Sequence, residues 1–261
     1  MSNVAVVTGA GRGIGRGVAE MLVRRGYAVV VTDVDGEAAR RTAKEIGAVE
    51  GLQHDVRDEH AHAGVAEAAA RHGRVAVWVN NAGVGDDGTL EQLSSESVRR
   101  LVDVNLVGVI WGMRSALDAF GFEGGDIVNV ASASALGPVP GLSVYAATKA
   151  AVASLTMSVA LEAPEGVRVH AVCPDGVDTE MVRVMRDDGK AKALVHSGGR
   201  LLTVEEVAAE VVGMIRSRRV LRTLPGWRAP LIRIGHFLPS RSRGAFKAFE
   251  VVGRRVMHRR G

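Results

Sequence analysis

Tyr145 and Lys149 stand four residues apart in a stretch, 143–163, whose apolar pattern predicts a helix. That spacing puts a phenol and an ammonium on one helix face, within a few ångströms of each other. A free phenol, with a pKa of about 10, is a poor base near neutrality, but a neighbouring cation favours its phenolate. The pair therefore suits proton transfer at an oxygen, the step that must accompany hydride transfer at a carbinol carbon. Ser132 precedes Tyr145 by thirteen residues, at the carboxyl end of a strand predicted over 126–131. Its hydroxyl could orient a substrate oxygen. Ser134, two residues on, competes for that role.

A second group of residues points to a dinucleotide. Thr8-Gly9-Ala10-Gly11-Arg12-Gly13-Ile14-Gly15 follows a predicted strand and runs straight into a predicted helix. Glycines let the backbone approach a pyrophosphate closely, and a helix N-terminus offers unpaired N–H groups and a partial positive charge. Eighteen residues past Gly15, Asp33 ends the second predicted strand, placed to accept hydrogen bonds from the adenosine ribose hydroxyls. Arg12 could attract a 2′-phosphate that Asp33 would repel, and the carboxylate is expected to prevail, favouring NAD over NADP. Asp55 and Val56, after the third strand, are placed beside adenine; Asp55 could equally form a turn.

These residues need a frame. Short β-branched runs near 4–8, 28–33, 49–54, 75–80, 126–131 and 167–172, with a weaker one near 219–224, alternate with helical patterns near 14–25, 36–46, 58–72, 94–119, 143–163 and 203–217. Strands as apolar as VAVVT and AVVVT are expected where helices cover both faces. The expectation is an α/β fold, a doubly wound seven-stranded parallel sheet, with domain boundaries at 1–221 and 222–261. The loop 174–200, after the sixth strand, is expected to be a substrate lid.

Composition narrows the classes. With 47% hydrophobic and 24% charged residues the 261-residue chain matches a globular average, against disorder or a long coiled coil. Cys173 is the sole cysteine, so an intramolecular disulfide is excluded, no thiolate metal site is expected, and a reducing cytoplasm suits the chain. The N-terminus lacks the pattern of a signal peptide, and no apolar run is expected to span a bilayer.

At these positions the chain resembles the short-chain dehydrogenase/reductase family. The resemblance covers residues 4 to about 217 and rests on TGAGRGIG (8–15), Asp33, Asn80-Asn81-Ala82-Gly83, Asn105, Ser132, Tyr145-Ala146-Ala147-Thr148-Lys149, and Pro174 with Thr179. It implies a Rossmann fold, NAD(P)-dependent oxidation of an alcohol or reduction of a carbonyl, and a homodimer or homotetramer formed through 94–119 and 143–163. It selects Ser132 over Ser134 and gives Asn105 a place in a locally perturbed helix, holding a water that joins Lys149 to solvent. It also gives Asn81 a role in stabilising the central sheet, puts Ala82 and Gly83 beside the ribose, and has Pro174, Val177 and Thr179 meet the nicotinamide end. One departure is that Asp175 stands where the family usually has glycine. Its carboxylate is expected either beside the nicotinamide or pointing outward. His170, where the family often has Asn, reads as a satisfied core histidine.

Ala133, Ser134, Leu136, Val139, Leu142, Met181 and Met185 are expected around the reacting carbon. They suggest a hydrophobic secondary alcohol or ketone. Residues 216–261 hold 13 Lys and Arg against Glu250 alone, while 1–215 hold 20 against 28 acids. Trp227, Leu231, Ile232, Phe237, Phe246 and Phe249 interleave with those arginines. An interfacial helix on anionic lipid, at the inner face of a membrane, and docking on an acidic partner subunit both fit this pattern. A charge run without a recognition motif does not read as nucleic-acid binding. A catalytically silent dinucleotide sensor acting through the basic tail is the competing function; it would need the glycine loop and Asp33 but not Ser132, Tyr145 and Lys149.

Overall fold

Seven strands, β1 (Asn3–Thr8), β2 (Ala28–Asp33), β3 (Glu50–Gln53), β4 (Arg74–Asn80), β5 (Gly125–Val130), β6 (Val167–Pro174) and β7 (Leu221–Leu224), form one parallel sheet in the order β3-β2-β1-β4-β5-β6-β7. The computed structural model describes residues 2–237 and 243–258, without the side chains of His236, Phe237, Arg243, Ala245 and His258. The helices are α1 (Gly13–Arg24), α2 (Gly36–Ile46), α3 (Glu59–Ala70), α4 (Ser95–Val102), α5 (Gly108–Phe120), α6 (Ser143–Glu162), α7 (Glu180–Arg183), α8 (Lys190–His196), α9 (Val204–Met214), α10 (Arg228–Phe237) and α11 (Arg243–His258).

Alternation along each strand feeds two cores. In β1, Ala5 and Val7 face a cluster with Val18 and Leu22 of α1 and Val207 and Val211 of α9. Val4 and Val6 face the other cluster, with Val65 of α3, Met113 and Phe120 of α5 and Val152 of α6. Side chains that alternate between two buried faces explain why the strands read as unbroken apolar runs. Strand order reverses between β1 and β4, and a crevice opens there at the carboxyl edge of the sheet.

Four expectations change. The single helix predicted over 94–119 is two helices joined by a π-turn, Asp103–Val107, which holds the buried Asn105. The loop 174–200 contains α7 and α8. A boundary after 221 would cut through β7, which pairs with β6 through Leu224, so Arg222 belongs to the sheet. Finally, α6 is long and apolar enough to cross a membrane by length and composition, contrary to the expectation that no such run exists. Its Ser, Thr and Ala content hides that run from inspection, and here it packs on the sheet through Val152, Ala153 and Thr156.

Candidate active site

The glycine loop is built by backbone contacts that side chains would block. Gly9 has φ +61°, and a Cβ there would lie 2.6 Å from Ala82 Cα. A Cβ on Gly11 would meet Asp33 Oδ2 at 2.9 Å. Asn81 Nδ2 donates to the carbonyls of Thr8 and Gly9, each at 2.9 Å, and Thr8 Oγ1 accepts from the amides of Asn81 and Ala82. These bonds clip the end of β4 to the loop after β1. The tie across the sheet comes one residue earlier than expected, since Asn80 Nδ2 donates to Asn129 Oδ1 at 2.8 Å and Asn129 Nδ2 to Thr156 Oγ1 at 2.9 Å. Sequence reasoning missed Asn129, an ordinary polar residue in an apolar strand.

The arrangement fits a bound dinucleotide. Asp35, Asp58, Ser94 and Thr203 cap α2, α3, α4 and α9 with their side chains, whereas no side chain caps α1. The first-turn amides of α1 are thus left for an anion in the crevice. Asp33 Oδ2 accepts from Gly11 N at 2.9 Å and Oδ1 from Asp35 N at 3.1 Å, which fixes its carboxylate at the far end of the cleft. Arg12 is ion-paired with Glu180 at the start of α7. Arg57 is held on Asp55 by Nη2–Oδ2 at 2.6 Å, so Asp55 forms a turn and also lines the cavity.

Ser132, Tyr145 and Lys149 converge further along the same cleft. The Ser132 hydroxyl lies close enough to the Tyr145 phenol to favour its ionised form. Ser132 Oγ also accepts from Ser134 N at 3.1 Å, while Ser134 Oγ is buried with no partner, which separates the two serines. Lys149 is 4% exposed; its Nζ donates to the Val130 carbonyl at 2.9 Å and lies 5.8 Å from the centre of the Tyr145 ring. Burial lowers the Lys149 pKa to about 8. Burial also pushes the Tyr145 phenol up, and the neighbouring Ser132 hydroxyl opposes that shift. In the chain by itself, desolvation thus outweighs the acidifying cation expected from the sequence, because the ammonium is aimed at a backbone carbonyl.

Of the residues singled out from the sequence for catalysis or cofactor binding, only Gly11, Gly15 and Asn105 do not line the cavity, and each acts from behind it. Asn105 Oδ1 accepts from Val84 N at 2.8 Å, and its Nδ2 donates to Val84 O at 2.9 Å. A Cβ on Gly83 would lie 3.3 Å from Asn105 Oδ1 and 3.5 Å from Lys149 Nζ, so Gly83 separates the two residues. Thr179 Oγ1 donates to Val177 O at 3.4 Å.

The cavity, about 1150 Å³, exceeds the size of a usual small-molecule pocket. Val139, Leu142, Met181 and Met185 line the cavity, but Leu136 does not; it is 8% exposed. Asp175 lines the cavity and does not point outward. It is buried against Arg228, Oδ2 to Nε 2.7 Å, and burial raises its pKa despite that cation. Leu231, Ile232, Phe246 and Phe249, read from the sequence as part of a lipid- or subunit-docking face, line the cavity, while Trp227 is 55% exposed. Phe237's side chain lies outside the described residues. His170 is a satisfied core histidine, with Nδ1 2.6 Å from Arg219 O and Nε2 3.2 Å from Asp126 Oδ1.

Comparison with known proteins agrees with this geometry. A family model described as short chain dehydrogenase matches residues 3–190. The chain belongs to that family and is an oxidoreductase of the short-chain dehydrogenase/reductase type. It is 36% identical over 222 residues to cyclohexanol dehydrogenase of Acinetobacter sp. (strain SE19), an alignment covering 82% of this chain and 88% of that one. Among solved structures it resembles 3-ketoacyl-(acyl-carrier-protein) reductase from Brucella melitensis complexed with NADH, with a TM-score of 0.78, 32% identity, and coverage of 87% of this chain and 98% of that one. The actinorhodin polyketide ketoreductase with NADPH matches equally well, with a TM-score of 0.78, 30% identity, and coverage of 87% and 97%.

Proposed function

We propose that this protein is an NAD-preferring dehydrogenase/reductase that interconverts a hydrophobic secondary alcohol and its ketone. The observation that carries this reading is the convergence of Ser132, Tyr145 and the buried Lys149 ammonium, 5.8 Å from the Tyr145 ring centre, in one cleft with the glycine loop and Asp33. When bound, a nicotinamide dinucleotide supplies the hydride acceptor or donor and, in oxidised form, a positive charge near the phenol. Tyr145 takes the proton from the alcohol oxygen in oxidation and returns it in reduction. Ser132 hydrogen-bonds the same oxygen and fixes its distance from the phenol. Lys149 stabilises the phenolate, and Asn105 positions Gly83 and Val84 beside the ammonium, along the strip through which it exchanges a proton with solvent.

Asp33 supports the choice of NAD, because its carboxylate is held where a 2′-phosphate would lie, and the nearby Arg12 and Arg57 are already paired with Glu180 and Asp55. Exposed Met157 and Leu161 on α6 suit a homodimer or homotetramer through α4, α5 and α6. A silent sensor is disfavoured, since it has no use for the Ser132, Tyr145 and Lys149 arrangement. The test is a screen of apolar secondary alcohols with NAD and with NADP, read as formation of the reduced cofactor. NAD-linked oxidation with the higher kcat/KM is expected; a higher kcat/KM with NADP would refute the preference, and no turnover of any secondary alcohol or ketone would refute the activity.

A further inference from the structure

Beyond Ser132 and Tyr145 the cavity runs under the two C-terminal helices, which lie outside the segment matched by the family model. Ile232 of α10 and Phe246 and Phe249 of α11 close it from that side. Three contacts fasten these helices. A Cβ on Gly137 would lie 2.7 Å from the Ile232 carbonyl oxygen, so α10 is pressed against the loop after Ser132. Gly253 of α11 meets α8 so closely that a Cβ there would overlap the Ala193 carbonyl. Arg228 ties the rest together: it pairs with Asp175 at the end of β6, donates from Nη2 to Ser197 Oγ at 3.0 Å, and holds its guanidinium 5.7 Å from the centre of the Phe249 ring.

The charges around the cavity are as informative as its apolar roof. Among the described residues, every arginine that lines it is ion-paired with a carboxylate: Arg12 with Glu180, Arg57 with Asp55, Arg100 with Asp86, Arg183 with Asp178 and Arg228 with Asp175. No arginine is left as a clamp for an anionic substrate.

We propose that α10 and α11 form a fixed apolar roof that selects an uncharged substrate with an extended hydrocarbon part beyond its carbinol carbon. This rests on reading the cleft as a dehydrogenase site and adds the substrate's shape. Each methylene that the roof removes from water tightens binding about fourfold. Ile232, Phe246 and Phe249 are the specificity-determining residues, and Asp175 and Arg228 hold them in position.

The test measures binding of 2-butanone and 2-decanone to the NAD-loaded protein, a combination that cannot turn over, by equilibrium dialysis. The wild-type protein is expected to bind 2-decanone at least about a hundredfold more tightly than 2-butanone. That ratio should fall about tenfold or more in Phe246→Ala and in Phe249→Ala. Gly253→Val, which should lift α11 from α8, provides a second route to the same loss, with circular dichroism to confirm a folded sheet domain. Equal affinities for the two ketones, or an unchanged ratio in both phenylalanine variants, would overturn the proposal. If the ratio behaves as expected but no secondary alcohol reduces NAD, the dehydrogenase reading fails and the roof stands.

Discussion

The cofactor end and the substrate end of one cleft are built on different principles. At the cofactor end, recognition is local: a glycine turn, an uncapped helix and an aspartate at a strand end lie within 33 residues of the N-terminus. At the other end the walls come from the loop after β5, the 174–200 segment and two helices beyond residue 227, joined by an ion pair between residues 53 positions apart. Backbone-made sites therefore need particular residue types at fixed spacing. Side-chain-made sites need only apolar bulk brought from anywhere.

This contrast predicts how each end fails. The largest effect is expected from Asp175→Ala, which leaves Arg228 buried without its partner. Removing one member of such a pair costs about 3–5 kcal/mol. The urea midpoint should fall accordingly, and preference for long ketones should weaken. An unchanged midpoint would show that the pair does not fasten the roof. Next comes Asp33→Ala, which under the proposed function removes a carboxylate that accepts hydrogen bonds from the ribose hydroxyls, worth about 1.5–3 kcal/mol, and relieves repulsion of a 2′-phosphate. The ratio of kcat/KM for NAD over NADP should drop about ten- to a hundredfold, while ranking among alcohols stays the same. A changed alcohol ranking would break the separation between the two ends.

A smaller effect concerns His54, buried at the cofactor end with Nδ1 3.0 Å from Thr32 Oγ1. Burial, assisted by repulsion from His62, lowers its pKa from 6.5 to about 3. The unfolded chain therefore takes up this proton at a higher pH than the folded one. The resulting stability is fully present above pH 6.5 and is lost progressively as pH falls toward 3. His54→Asn should flatten that decline, by on the order of 1–3 kcal/mol, in urea midpoints measured across the interval. An equally steep decline in the variant would assign the acid sensitivity to other groups.

The same contrast explains how much could be read from the sequence. The strands, the glycine loop, Asp33 and the Tyr145–Lys149 spacing were legible because each depends on a short-range pattern. The disturbance at Asn105 was expected only through the family resemblance, since a polar residue among Val104, Leu106 and Val107 by itself argues for burial and not for the π-turn that appears there. Asp175 was legible only as an oddity, since its partner Arg228 has no fixed spacing from it. The C-terminal aromatic and basic residues were legible only as an amphipathic pattern, for a physical reason: amphipathic helices that cover a pocket and those that lie on a membrane have the same periodicity. The close approaches at Gly137 and Gly253 press one face of these helices onto the body of the protein, a contact with no fixed sequence spacing.

The most direct test of the account removes one oxygen atom. With saturating NAD and an apolar secondary alcohol, hydride transfer in Tyr145→Phe, followed in a single turnover, should slow by about 10²- to 10⁴-fold while NAD still binds. A variant that transfers hydride within a few-fold of the wild-type rate would contradict the assignment of Tyr145 as the group that moves the proton.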